Sequence, residues 1–166
     1  MSKRVLRIFS ADFSSPALAL GYLFGLFLPQ IFGVSLLSLA PGGIVSPFIS
    51  RDGGFLPTLY IQSVYPIVIF IIGFIPCARI FSATVIFIRA SLASYSSLAL
   101  SFSGASGGEY LLHTISSVAL VTVCWAISKC ASDSKNSASL YALKFLFFSG
   151  IFLIILFCRS VALAFV

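Results

Sequence analysis

The sequence predicts an all-α, polytopic membrane helix bundle of about five transmembrane helices with Pro and Gly kinks. Three observations lead there. The 166 residues are 60% hydrophobic and only 8% charged, with a mean hydropathy of +1.14, whereas a soluble domain carries about 25% charged residues. The basic residues sit between long apolar runs rather than in a basic–aromatic stripe. One span takes about 20 apolar residues, so a chain of this length holds four to six of them. That is one compact membrane domain, residues 1–166, with no room for a second.

The first span is expected at about 17–39. It contains Gly21 and Gly25, the GxxxG spacing that lets another backbone approach closely. Pro29 and Gly33 interrupt it. The basic start Met1–Arg7 invites a signal-peptide reading. The run Pro16–Ala40 is longer than a typical signal core, and Pro41 follows the small-x-small site Ser38–Ala40, so the expectation is a retained span. Pro41–Leu56 is a glycine- and proline-rich loop with one Arg51–Asp52 pair; it fits a linker or a short interfacial piece.

The second span is expected at about 57–76. Pro57 suits a first helical turn, and Tyr60 and Tyr65 belong near the outer interface. Pro66 should kink the helix, and Gly73 and Pro76 loosen its far end. The third span, about 80–102, holds Arg89 in mid-run and a face of small residues at Ala90, Ser94, Ser97 and Ser101. Ser103–Glu109 reads as a tight polar turn. The fourth span, about 110–128, carries His113, Thr114, Ser116, Ser117 and Trp125. Lys129–Lys144 reads as a polar connector, loop at its start and the first turn of the next helix at its end, and the fifth span follows at about 145–166 with Arg159 near its end.

Five spans with the N-terminus inside place Lys3, Arg4, Arg7, Arg79, Lys129, Lys135 and Lys144 on the inner side, against Arg51 in the outer loops. This bias sets an N-in, C-out orientation. Arg159 is then free to snorkel outward. The net charge of +6 follows from the same rule and implies no nucleic-acid partner.

The residues argue against an enzyme. Asp12, Asp52, Glu109 and Asp133 fall in four separate segments and give no carboxylate cluster for a metal. Cys77, Cys124, Cys130 and Cys158 form no CxxC and read as free thiols. No GxSxG, Walker or GxGxxG motif is present. No cofactor is expected.

Arg89 remains the feature that needs an explanation, because a lone cation in lipid costs roughly 2.5–3.5 kcal/mol on insertion scales. It must face protein, water or the membrane surface. The expected partners are backbone carbonyls freed near Pro66 or Pro29, or loop backbone entering the bundle. Glu109 and His113 stand four residues apart and share a helix face, with Arg89 about 15–20 Å deeper from the helical rise. Arg89, Ser94, Tyr95, Glu109 and His113 are therefore the candidate structural or ligand site. Gly21, Gly25, Pro66, Gly73 and Pro76 are the candidate packing positions. The alternatives for Arg89 are a structural clamp and an ion, lipid-phosphate or substrate site.

A glycine-containing span, a loop, then Ile72–Pro76 leading to Phe87–Ser96 (FIRASLASYS) resembles the stage II sporulation protein M family over about Leu18–Ser132. The matching residues are Gly73, Pro76, Arg89, Tyr95 and Ser96; Ala90 and Ala93 or Ser94 stand where that family often has glycines, and the first outer loop is short. The resemblance implies a small five-span protein of a bacterial cytoplasmic membrane, acting as a non-enzymatic scaffold or complex subunit. Its partners would be membrane lipids and other membrane proteins, with self-association among the options. The alternative function is a small permease, or a substrate-binding membrane subunit of a transporter, with a polar site near Arg89.

Overall fold

The computed structural model describes residues 13–32, 55–75, 78–102, 105–133 and 138–165. These form five α-helices: α1 (Ser14–Phe32), α2 (Phe55–Ile72), α3 (Ala78–Phe102), α4 (Gly107–Asp133) and α5 (Ala138–Leu163). No strand occurs among the described residues. Three segments are long and apolar enough to cross a membrane, Ala78–Phe102, Gly107–Ala131 and Ala138–Leu163, and Thr58–Ile72 is a shorter apolar helix. The protein is an all-helical membrane bundle.

The closest helix pair is α1 with α3. Gly21 lies against Phe87 and Ala90, and Gly25 lies against Ser91 and Ser94, so the two helices run parallel. A Cβ on Gly21 would sit 2.6 Å from the Phe87 carbonyl oxygen and 2.9 Å from the Ala90 Cβ. A Cβ on Gly25 would collide with the Ser94 hydroxyl and the Ser91 carbonyl oxygen. Lipid tails are as apolar as leucine, so helices associate in a membrane through close packing, and two glycines one turn apart supply it. The Phe24 and Phe87 rings meet beside this seam at 5.5 Å.

The apolar core lies between α2, α3, α4 and α5, where Ile69, Ile86, Leu120, Cys124, Ile127, Phe152 and Leu156 are buried together. At one end of it α5 clasps the end of α2. The Tyr141 hydroxyl donates to the Phe70 carbonyl at 3.3 Å and also approaches that of Ile69 at 3.4 Å. The Gly73 N–H already donates to the Ile69 and Phe70 carbonyls at 3.0 and 3.1 Å, so Tyr141 adds a second donor to this helix end from another helix. Phe70 stacks on Phe145 at 4.1 Å and on Tyr141 at 5.1 Å. Gly73 lies directly against the Tyr141 ring.

Several boundaries differ from the sequence reading. The second helix begins at Phe55 and ends at Ile72, and it runs unbroken through Pro66. Tyr60 is exposed, and Tyr65 is half-buried with its ring under the Arg89 guanidinium. In the Lys129–Lys144 connector the start, expected to be loop, is helix, because α4 continues to Asp133, while its end is helical as expected, with α5 beginning at Ala138. Ala, Leu and Lys in that stretch are good helix formers, and serine opposes a helix only weakly. Pro76 and residues 33–54 lie outside the described residues.

The glycine seam generates a paired test. Gly25→Ala should destabilise the bundle by about 1–3 kcal/mol, as overpacking does, when unfolding is followed in detergent. Gly150→Ala, where a Cβ meets nothing within 4 Å, should be neutral or stabilising by up to ~1 kcal/mol, the propensity difference.

Candidate functional site

Two polar centres lie inside the bundle, and each joins helices that the loops leave apart. The first surrounds Arg89 at the middle of α3. Its side chain is 1% exposed. Its Nη2 donates to Oε1 of Gln62 on α2, and its guanidinium lies over the Tyr65 ring, 5.1 Å from the centroid. Tyr22 of α1 and Cys124 of α4 lie within electrostatic reach of the charge. Arg89 thus meets a side chain where freed backbone was expected. The two are related: Pro66 has no N–H to give to the carbonyl four residues back, and that residue is Gln62. Gln62 is itself 0% exposed. Its Nε2 and the Tyr22 hydroxyl have no hydrogen-bond partner among the described residues.

The second centre is built on His113, near the start of α4 and 3% exposed. Its Nδ1 lies 3.1 Å from Arg159 Nη2, and its Nε2 lies 2.9 Å from Ser96 Oγ. Arginine can only donate, so Nδ1 must accept and the imidazole is neutral with its proton on Nε2. That proton is donated to Ser96, and the Ser96 hydroxyl donates in turn to the Ala93 carbonyl at 3.0 Å. Ser117 flanks the same Nε2 at 3.4 Å. Every polarity in the chain Arg159, His113, Ser96, Ala93 is therefore set, and α5, α4 and α3 are tied together at one level.

Arg159 does not snorkel to the surface. It is 6% exposed and committed to His113. Burying a guanidinium costs less when a donor-hungry imidazole nitrogen waits for it than when the same nitrogen is left unpaired.

The remaining candidates fall elsewhere. Glu109 takes part in neither centre. Its Oε2 accepts from the Ser106 N–H and its own N–H donates to Ser106 Oγ, both at 3.1 Å, a reciprocal capping box at the start of α4. Ser94 bonds back to the Ser91 carbonyl at 3.2 Å and faces Gly25. Tyr95 is 5% exposed, and its hydroxyl has no partner among the described residues. Ser91, Ser97, Ser116, Thr122 and Ser160 each bond a carbonyl of their own helix, which satisfies them locally and keeps their helices slim.

Gln62 and Tyr141 are the residues that sequence reasoning passed over, while Ser96 entered it only through the family resemblance and Arg159 only as a cation free to snorkel. An amide inside the apolar run Leu59–Ile72 was the available signal for Gln62, and Ser106-x-x-Glu109 was the signal for the cap. Among the described residues no group of three or more His, Cys, Asp or Glu side chains is placed to hold a metal ion, and Cys124, Cys130 and Cys158 are free thiols.

No family model matches this chain, and neither a curated protein nor a solved structure matches it.

Two double-substitution experiments follow. Gln62→Leu alone removes one acceptor from a buried charged donor and should destabilise by about 1.5–3 kcal/mol, the range for hydrogen bonds to charged groups. Adding Arg89→Met should recover much of that loss, because an apolar pair replaces a broken polar one. His113→Leu and Arg159→Leu should likewise be non-additive, coupled by about 0.5–3 kcal/mol in a thermal or denaturant unfolding cycle.

Proposed function

We propose that this chain is a non-enzymatic, multi-pass scaffold or complex subunit of a bacterial cytoplasmic membrane. All five helices cross, with the N-terminus inside, and the protein acts through helix–helix contacts with other membrane proteins. The observation that carries this reading is how the reactive groups are used. The chain's one histidine is held between Arg159 and Ser96, Arg89 is held by Gln62, and Glu109 is part of a helix cap. Chemistry needs groups poised toward a substrate; these are engaged in joining the chain's own elements.

The outward faces suit contact with other helices. Leu143, Phe147, Ile154 and Phe157 of α5 are exposed, and their spacing keeps them on one stripe of the helix. The resemblance to the stage II sporulation protein M family supports the same reading. Of its matching residues, Gly73 packs on Tyr141, Arg89 bonds Gln62 and Ser96 bonds His113, roles that fit a packed scaffold.

The second reading, a transport component with a polar site near Arg89, is favoured by one feature. Gln62 Nε2 and the Tyr22 hydroxyl are buried without partners among the described residues, and both lie around Arg89. An acceptor-bearing substrate would satisfy them.

The test is purification of the native protein in lipid nanodiscs with mass spectrometry of what accompanies it. The scaffold reading expects a reproducible set of membrane proteins whose recovery falls at least several-fold with Ile154→Ala and Phe157→Ala. A protein that comes alone with a small molecule, lost on Gln62→Leu, would replace it with the transport reading.

A further inference from the structure

We propose that the centre around Arg89 holds a resident monovalent anion, a halide such as chloride, among α1, α2, α3 and α4. This goes beyond both functional readings, because the ion stays with the protein whether the chain is a scaffold or a transport component. Each of the four helices sends a side chain to this place. Arg89 of α3 and Gln62 of α2 are fully buried, and the guanidinium donates to Gln62 Oε1. Tyr22 of α1 packs against Ala90, Ala93 and Val121. Its hydroxyl and the buried Cys124 thiol of α4 are both within electrostatic reach of Arg89.

Unused hydrogens ask for an acceptor. Gln62 Nε2 and the Tyr22 hydroxyl are buried without a hydrogen-bond partner among the described residues, and a buried donor left unmade is costly. An amide nitrogen carries two hydrogens and cannot accept. The amide is planar, so one of these hydrogens points to the same side as Oε1, where the guanidinium lies. An acceptor placed there meets the amide N–H beside a positive charge. The phenolic hydrogen of Tyr22 rotates about its C–O bond and can turn to the same acceptor.

Charge and size decide which acceptor. Arg89 repels a cation and attracts a negative ion. The cost of taking an ion out of water rises steeply with its charge, which favours a monovalent ion over phosphate or sulfate. A water molecule would bring two hydrogens of its own to a place where Gln62 Nε2 and the guanidinium can only donate. A halide brings none and accepts from any direction, which suits donors arriving from separate helices. Gly21 and Gly25 hold α1 tightly against α3 on either side of Tyr22 in the chain, so a compact ion fits better than a polyatomic one.

The test uses the full chain in lipid nanodiscs, purified in sodium bromide and then moved into sodium gluconate at the same ionic strength. Bromide is counted per chain by elemental mass spectrometry, and thermal unfolding is followed with and without added bromide. An ion that is shut in is counted as a single bromide per chain. An ion that exchanges is lost in gluconate, and restoring bromide to about a hundred times its Kd raises the melting temperature by ~5–10 °C for a chain of this size. Gln62→Leu should abolish whichever signal the wild type gives, and the milder Tyr22→Phe should weaken it. A wild-type protein that retains no bromide and melts at the same temperature in both salts would overturn the proposal. So would a bromide signal that survives both substitutions in protein with unchanged helical circular dichroism, since the ion would then lie elsewhere.

Discussion

The bundle is organised around the cost of burying a guanidinium in a membrane. Arg89 sits in the middle of a helix that otherwise reads as a span, and it has too little length to reach either surface from there. A cation in that position is tolerable only when other helices bring it acceptors or aromatic faces. Gln62 and Tyr65, three residues apart on α2, do this together. The requirement fixes the register of α2 against α3, because a shift of one residue would rotate the amide away by about 100°. Once α2 is placed, its end lies where Tyr141 of α5 meets the Ile69 and Phe70 carbonyls.

The second centre extends the same logic to α4. Ser96 follows Arg89 by seven residues, so the two centres lie ~10.5 Å apart along α3. At the first level α3 is tied to α2; at the second it is tied to α4 and, through His113, to α5. The glycine seam with α1 occupies another face of α3. One helix therefore touches α1, α2 and α4 directly and reaches α5 through His113, and its long list of buried residues follows from that. Serine and alanine dominate this list because a central helix has to be approached closely from several sides at once.

The helical class was legible from composition alone, and so was the importance of Arg89, since its cost is local to its own span. The partners were not. An amide such as Gln62 weighs little inside an apolar run, and its meaning depends on which way α2 faces. His113 was visible as a lone titratable group, but Arg159 lies 46 residues further on. Its position near a helix end made a surface reading natural, because snorkelling is set by depth and depth is not written in the sequence. The start of the Lys129–Lys144 stretch misled for a different reason. Polarity marks where a chain leaves the hydrocarbon, not where a helix stops, and both α4 and α5 extend beyond their apolar parts. The Ser106–Glu109 cap was obscured by the glycines between its two members.

The central claim is that the polar interior is a sealed set of helix ties. Cys124 reports on it directly, because this thiol is 0% exposed and lies within electrostatic reach of Arg89, whereas Cys130, six residues along the same helix, is only half-buried. The decisive measurement is the rate at which a small water-soluble thiol reagent modifies each cysteine of the protein in lipid nanodiscs, read by peptide mass spectrometry. A sealed interior predicts that Cys130 is modified while Cys124 stays unmodified until the protein is unfolded. Modification of Cys124 in the folded protein at a rate near that of Cys130 would mean that water reaches Arg89, and would contradict the account.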